Sequence, residues 1–219
     1  MKTGKIRFTA FLLSFIMLFS LAACKSSQAE SQINSQPDTT SQKQDETEKQ
    51  EEPEQTQNDM AQSKSLVVYF SATGTTKGVA EKIASLTGAD TYAIKAAKEY
   101  TSADLDWNDS NSRSTTEQND SSARPEIGSE KISLDGYDTI YIGYPIWWGE
   151  EPRIMDTFVE SYNFDGKTMI PFCTSGGSGI GRSGKNLESL SKSGTWLEGK
   201  RFGGSVSDSE LQDWIDGLK

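Results

Sequence analysis

The chain has 219 residues, with 22 Lys+Arg against 32 Asp+Glu and a formal net charge of −10. Such acidity argues against nucleic acid and anionic lipid as direct partners, and it would suit a basic protein partner. There is no histidine and there are only two cysteines, which excludes histidine zinc sites, Ser–His–Asp triads and histidine bases, so chemistry must come from other side chains or a bound cofactor.

Lys2, Lys5 and Arg7 form a basic start, and Phe8 to Ala23 is almost entirely apolar before the run stops at Cys24. That length fits the apolar part of a signal peptide better than a spanning helix. The ending "LAAC" resembles the lipobox of bacterial lipoproteins. The resemblance implies cleavage before Cys24, lipidation of that residue, and a lipid-anchored protein on the extracytoplasmic face of the cell membrane, with membrane contact only through the anchor. A plain signal peptide or an uncleaved anchor helix is the alternative. With Cys24 lipidated, Cys173 is the sole remaining thiol and no internal disulfide can form.

Residues 25–64 are dominated by Ser, Gln, Glu, Thr and Asp and hold no aromatic residue. They cannot bury enough apolar surface to offset the entropy of ordering, so a disordered tether is expected. Residues 65–219 are an ordinary length for one domain. They carry 15 Lys+Arg against 23 Asp+Glu, a net charge of −8.

Within that domain "SLVVYFS" reads as a buried strand, and a helix starts from "ATGTTKG", with Val79, Ile83 and Leu86 on one face and Gly88 as terminator. "TYAIKA" (91–96) is the second strand. Residues 97–130 are rich in Asn, Asp, Ser and Thr, which weaken any helix between about 102 and 120. Trp107 stands out there as that element's packing anchor, with a lid over a pocket as the other reading. "DTIYIG" (138–143) is the third strand, and Pro152 suits the first position of the helix behind it, where Glu150 and Glu151 meet the positive end of the dipole. "KTMIPFCTS" (167–175) is the fourth strand, with Pro171 an irregularity for a central one. A helix within 180–192 and a fifth strand, "TWLEGKRFGG" (195–204), follow. The last helix opens on a Ser207/Glu210 capping box.

Five alternations of strand and helix imply a five-stranded parallel sheet covered on both faces, an α/β three-layer doubly wound sandwich. Ligands of such sheets bind beyond the carboxyl ends of the strands, at the switch point of the winding. With sheet order 2-1-3-4-5, the loops after strands one, three and four meet at one edge. The first loop supplies hydroxyls from Ser71, Thr73, Thr75 and Thr76, a flexible Gly74, and backbone N–H groups at a helix N-terminus, together a phosphate cradle that needs no cation. The second contains Pro145, Ile146, Trp147, Trp148 and Gly149, and the third Thr174, Ser175, Gly176, Gly177 and Ser178.

"SATGTT" after the first strand resembles the flavin mononucleotide (FMN) phosphate loop of flavodoxins. "YPIWWG" and "TSGGSG" resemble the two ring-binding loops of a flavodoxin-like branch. The resemblance covers residues 65–219 and implies a flavodoxin-like fold, FMN as cofactor and the residues of the three loops as its contacts. A flat isoalloxazine ring needs an aromatic wall. Trp147 is assigned to the ring face while Trp148 turns towards the protein, and Gly149 would permit a peptide flip beside the flavin. Flavodoxins usually place a tyrosine after the fourth strand; Thr174–Ser178 holds none, so one ring face is open or covered by backbone or by residues 97–130. Glu150 and Glu151 are expected to disfavour negative charge on the ring and make it a stronger reductant.

"GIGRSGKN" (179–186) nearly matches a nucleoside-triphosphate loop, but Asn186 stands where a magnesium-binding hydroxyl is required. The reading is therefore a monomeric, surface-tethered FMN electron carrier serving a redox protein partner; the alternative is an FMN-dependent NAD(P)H:quinone-type oxidoreductase.

Overall fold

The computed structural model describes residues 64–218; the segments expected as signal peptide and as tether up to residue 63, with Cys24, lie outside the described residues. β1 (Lys64–Phe70), β2 (Asp90–Ile94), β3 (Tyr137–Pro145) and β4 (Thr168–Thr174) alternate with α1 (Thr75–Thr87), α2 (Arg113–Asn119) and α3 (Arg153–Glu160). After α4 (Ser183–Ser191) the outer strand comes in two pieces, β5 (Thr195–Trp196) and β6 (Lys200–Phe202), before α5 (Asp208–Asp216). All pairings are parallel and the order is β2-β1-β3-β4-β5, with β6 also on β4.

The run of buried residues in β1 is what a strand covered on both faces requires. Leu66, Val68 and Phe70 join Ile140, Ile142 and Tyr144 under α3, where Ile154, Met155 and Phe158 pack. Val67, Tyr69, Tyr141, Ile170 and Phe172 point the other way, onto Val79 and Ile83 of α1 and Leu211 and Ile215 of α5. Alternate residues thus feed two cores, giving the three layers. Gly143 lies directly against the Phe172 ring, where a methyl group would fall on its carbon atoms.

Local chemistry accounts for the element ends. Gly88 closes α1 at φ +68°, with its N–H on the Ala84 carbonyl. Pro152 occupies the cap position rather than the first helical one, at φ −63° and ψ 140°, and α3 starts at Arg153. The Ser207 hydroxyl accepts from the Glu210 N–H at 3.2 Å and starts α5.

Two departures from the sequence reading have clear causes. The single fifth strand is broken, and the break lies opposite Pro171. Leu197 N–H donates to the Met169 carbonyl at 2.9 Å, so Met169, and two residues on Pro171, turn their backbone groups towards the outer strand. Pro171 has no N–H to offer there. The strand swells by one residue, and Gly199 fits against the proline ring where a side chain would collide.

The helix expected over 102–120 shrinks to α2. The side chains of Asp104, Asp106 and Asp109 take the N–H groups of Thr101, Asn108 and Asn111 at 2.9, 2.9 and 2.8 Å, which is the competition that keeps such residues out of helices. Trp107, expected as the packing anchor, is 74% exposed; Leu105 beside it is half-buried.

Candidate functional site

β1, β3 and β4 deliver their loops to one end of the sheet, and the Thr76 hydroxyl meets the Thr174 hydroxyl at 2.8 Å in the interior. Ile146 N–H donates to the Thr174 carbonyl at 3.0 Å. These two bonds join all three loops at their roots.

In the first loop the Ser71 hydroxyl accepts from Gly74 N–H at 3.1 Å, and Gly74 takes φ +90°. Ser71 therefore shapes the turn, and Thr76 is committed to Thr174. Thr73 and Thr75 remain exposed at the turn, their hydroxyls 3.5 Å from each other. No side chain caps α1, so its first N–H groups face outwards as anion donors.

Within the second loop Trp147 and Glu150 exchange backbone hydrogen bonds at 2.9 and 3.0 Å. Between them Trp148 sits at φ +48° and Gly149 at φ +84°, the signature of a type I′ turn. This answers how two adjacent indoles can be accommodated. Trp147 packs edge-on against Phe70 and Tyr100, with ring centroids 5.7 and 5.2 Å away. Trp148 stays 46% exposed. The orientation differs from that expected from sequence, where Trp148 turned towards the protein: Trp147 packs on Phe70 and Tyr100, and Trp148 is the more exposed indole.

A cavity of about 420 Å³ opens between these two loops. Ser71, Thr73, Thr76, Pro145, Ile146, Trp147 and Trp148 line it, with Ala72, Leu105, Trp107 and Ser114. None of these side chains is charged. Thr75, Gly74 and Gly149 adjoin the lining through the turns that hold it. Ser175, Gly176, Gly177 and Ser178 are not on the cavity wall. Ser175 is tied to the Phe202 carbonyl through its N–H, and Gly177 N–H donates to its hydroxyl at 3.1 Å. The fourth strand's contribution is Thr174, which reaches the cavity only through Thr76 and Ile146.

Leu105, Trp107 and Ser114 come from the 97–130 insertion; Trp107 takes the position of the second reading given to it, over a pocket, while Leu105 and Ser114 escape a sequence reading built on glycine- and hydroxyl-rich turns. The available signal was two large apolar residues in an otherwise polar run, but their direction depends on tertiary contacts. Those contacts are polar: the Arg113 guanidinium lies 4.0 Å from the Tyr100 ring centroid, and the Tyr100 hydroxyl donates to Glu117 at 2.6 Å.

The two acids after the turn also behave differently from expectation. Neither lines the cavity. Glu150 pairs with Arg153 at 2.9 Å. Glu151 is fully buried, bonded to Asn186 at 3.3 Å, and its burial pushes the carboxyl up to about 7. Both belong to a separate polar pocket with Arg124, Arg153, Asp156 and Asn186. Cys173 is buried, and that burial pushes its thiol up to about 12, so it is no nucleophile.

An uncapped helix start, exposed threonine hydroxyls, a neutral indole-walled cavity and a Ser114 on that wall whose buried hydroxyl has no partner fit a phosphorylated, flat, heteroatom-bearing ligand. With a cavity beyond the carboxyl ends of β1 and β3, where the winding reverses, the molecule is a mononucleotide-binding doubly wound α/β protein. A family model described as flavodoxin matches residues 64–218, and the chain belongs to the flavodoxin family.

A candidate flavoprotein from Bacteroides eggerthii is 47% identical, with a TM-score of 0.67 over 72% of this chain and 98% of its own. One from Bacteroides uniformis is likewise 47% identical with a TM-score of 0.67, over 70% and 98%. The flavoprotein of Lactobacillus acidophilus, solved in complex with FMN, is 24% identical with a TM-score of 0.53 over 70% and 99%, a likeness of fold. No curated protein matches the chain.

Proposed function

We propose that the chain is an FMN-binding electron-transfer protein, held at the extracytoplasmic face of the membrane by a lipid on Cys24. The observation that carries the redox part is the neutral, indole-walled cavity placed between the hydroxyl-rich turn after β1 and the tryptophan turn after β3. Support for FMN comes from membership of the flavodoxin family and from the FMN complex of the Lactobacillus protein. The anchor rests on "LAAC" and the apolar run before it.

Bound FMN supplies one- and two-electron chemistry; the side chains supply the setting. The N–H groups at the start of α1, with the Thr73 and Thr75 hydroxyls, hold the phosphate. Trp148 walls the ring, and Trp147 backs the turn through Phe70 and Tyr100. No acid or base lines the cavity, so the protein's part is binding, orientation and exclusion of water. Among the described residues no helix is long and apolar enough to cross a membrane.

The test is the visible spectrum of the full chain before and after adding FMN. Stoichiometric uptake with a perturbed flavin band is expected, and electron delivery only when a protein partner is present. No uptake sinks the reading; rapid NAD(P)H consumption by the purified protein alone replaces the carrier by an oxidoreductase.

A further inference from the structure

The β4 loop, where a second ring-covering residue would be sought, carries no aromatic side chain and stands off the cavity wall. The wall is completed instead by the insertion before β3. Two of its side chains make no hydrogen bond that holds the fold. Ser114, in α2, is 1% exposed, lines the cavity, and its hydroxyl has no hydrogen-bond partner. A buried hydroxyl left unpaired is costly, and one beside a cavity is explained by a partner that occupies the cavity. Trp107 lines the same cavity, yet it is 74% exposed.

The loop that carries Trp107 is stitched by local hydrogen bonds to the Asp106 carboxylate and to the backbone. Asp106 accepts from Asn108 N–H at 2.9 Å, just beyond the indole, and Ser114 N–H donates to the Asp104 carbonyl at 2.9 Å. An indole displayed on such a framework is preorganised for a flat partner, because little further ordering is needed on contact.

We infer that the insertion forms the second half of the flavin site: the Ser114 hydroxyl hydrogen-bonds the polar, carbonyl-bearing edge of the ring, and Trp107 covers the ring from the insertion side. The inference rests on the FMN reading above. The phosphate is not Ser114's partner, since the first turn of α1 and its threonines take it. The dimethylbenzene edge offers a hydroxyl nothing.

The experiment titrates FMN and riboflavin into the full wild-type chain and into Ser114→Ala, Trp107→Ala and Trp107→Phe, and records apo melting temperatures. Ser114→Ala should weaken both ligands by about three- to tenfold while leaving the apo protein as stable or more so. Trp107→Ala should weaken both by about tenfold without moving the apo melting temperature, and Trp107→Phe should recover most of that loss. Equal losses for FMN and riboflavin mark a ring contact; Thr73→Ala, as a phosphate-loop control, should weaken FMN alone. Wild-type uptake with unchanged affinity in both alanine variants overturns the inference and leaves the functional reading intact. A loss in one variant only keeps that residue and removes the other. If the wild type takes up no flavin, the functional reading falls and carries this inference with it.

Discussion

The side-chain amide of Gln118 donates to the carbonyl oxygens of Trp147 and Glu151, both at 3.1 Å. One residue of the insertion thereby holds both ends of the turn that carries the indoles. Its own carbonyl accepts from Arg153 at 3.1 Å, at the start of α3. The insertion is thus a structural clamp on the tryptophan turn as well as part of the cavity wall.

Replacing Gln118 by Leu keeps the volume and removes both donors. The Glu151 carbonyl loses this donor and the Trp147 carbonyl is left with its bond from Glu150 N–H, in a site that is 8% exposed at Gln118, which should cost about 1–3 kcal/mol of stability. Urea denaturation measures the loss. FMN affinity should fall as well, because the turn loses its clamp. Unchanged affinity would mean that the type I′ turn holds its shape without α2.

Trp148 at φ +48° is strained for a residue of its size. Trp148→Gly should therefore stabilise the turn by about 1 kcal/mol, even though flavin affinity drops with the lost indole. Gly149→Ala, at φ +84°, should destabilise by about 1–2 kcal/mol. Melting curves of the apo variants decide both signs. A Trp148→Gly protein that melts lower than wild type would show that the indole's packing outweighs the strain.

Burial holds the Glu151 carboxyl up at about 7 against an ordinary 4.5. The folded chain therefore binds this proton more tightly than the unfolded chain. Below about pH 4.5 both states are protonated and there is no penalty; between about 4.5 and 7 the unfolded chain ionises first and stability falls; above 7 the loss is complete. Glu151→Gln should remove this part of the pH dependence and stabilise the protein on the alkaline side by at most about 3 kcal/mol. Asp156, pushed up by burial to about 6, contributes in the same direction and retains a smaller slope in the variant. A pH series of melting temperatures reads the difference.

Glu150→Gln combined with Glu151→Gln should leave the reduction potential of the bound flavin unchanged. Glu150 is already neutralised by Arg153 at 2.9 Å, and Glu151 is buried in a different pocket. A raised potential, the result expected from their sequence position alone, would show that their charge reaches the ring after all. Spectroelectrochemical titration of both proteins separates the outcomes.

The doubly wound sheet was legible because its signals are local and strong. "SLVVYF", "DTIYIG" and "KTMIPFC" are continuous apolar runs ending in turn residues, and Gly88 and Ser207 mark helix ends by their own chemistry. The loops after β1 and β3 were legible for a related reason, since fold topology dictates where they meet. Side-chain direction was not. Whether Trp147 or Trp148 faces inwards depends on two positive φ angles, and those follow from the Trp147–Glu150 pairing across the turn. The insertion was opaque because Gln118, Arg153 and Glu117 hold it by polar contacts between residues far apart in sequence. A polar run with few apolar residues looks the same whether it dangles or is bolted down.

The gap in the outer strand has a consequence for the molecule among its neighbours. A continuous rim of unpaired N–H and C=O groups beside β4 would invite a second chain to add on, the route to fibres. Here Pro171 forces a swelling, Gly199 tucks into it, and what is left of the border is two stubs of two and three residues. A proline that looks like a flaw in a central strand thus shields the neighbouring border from self-association.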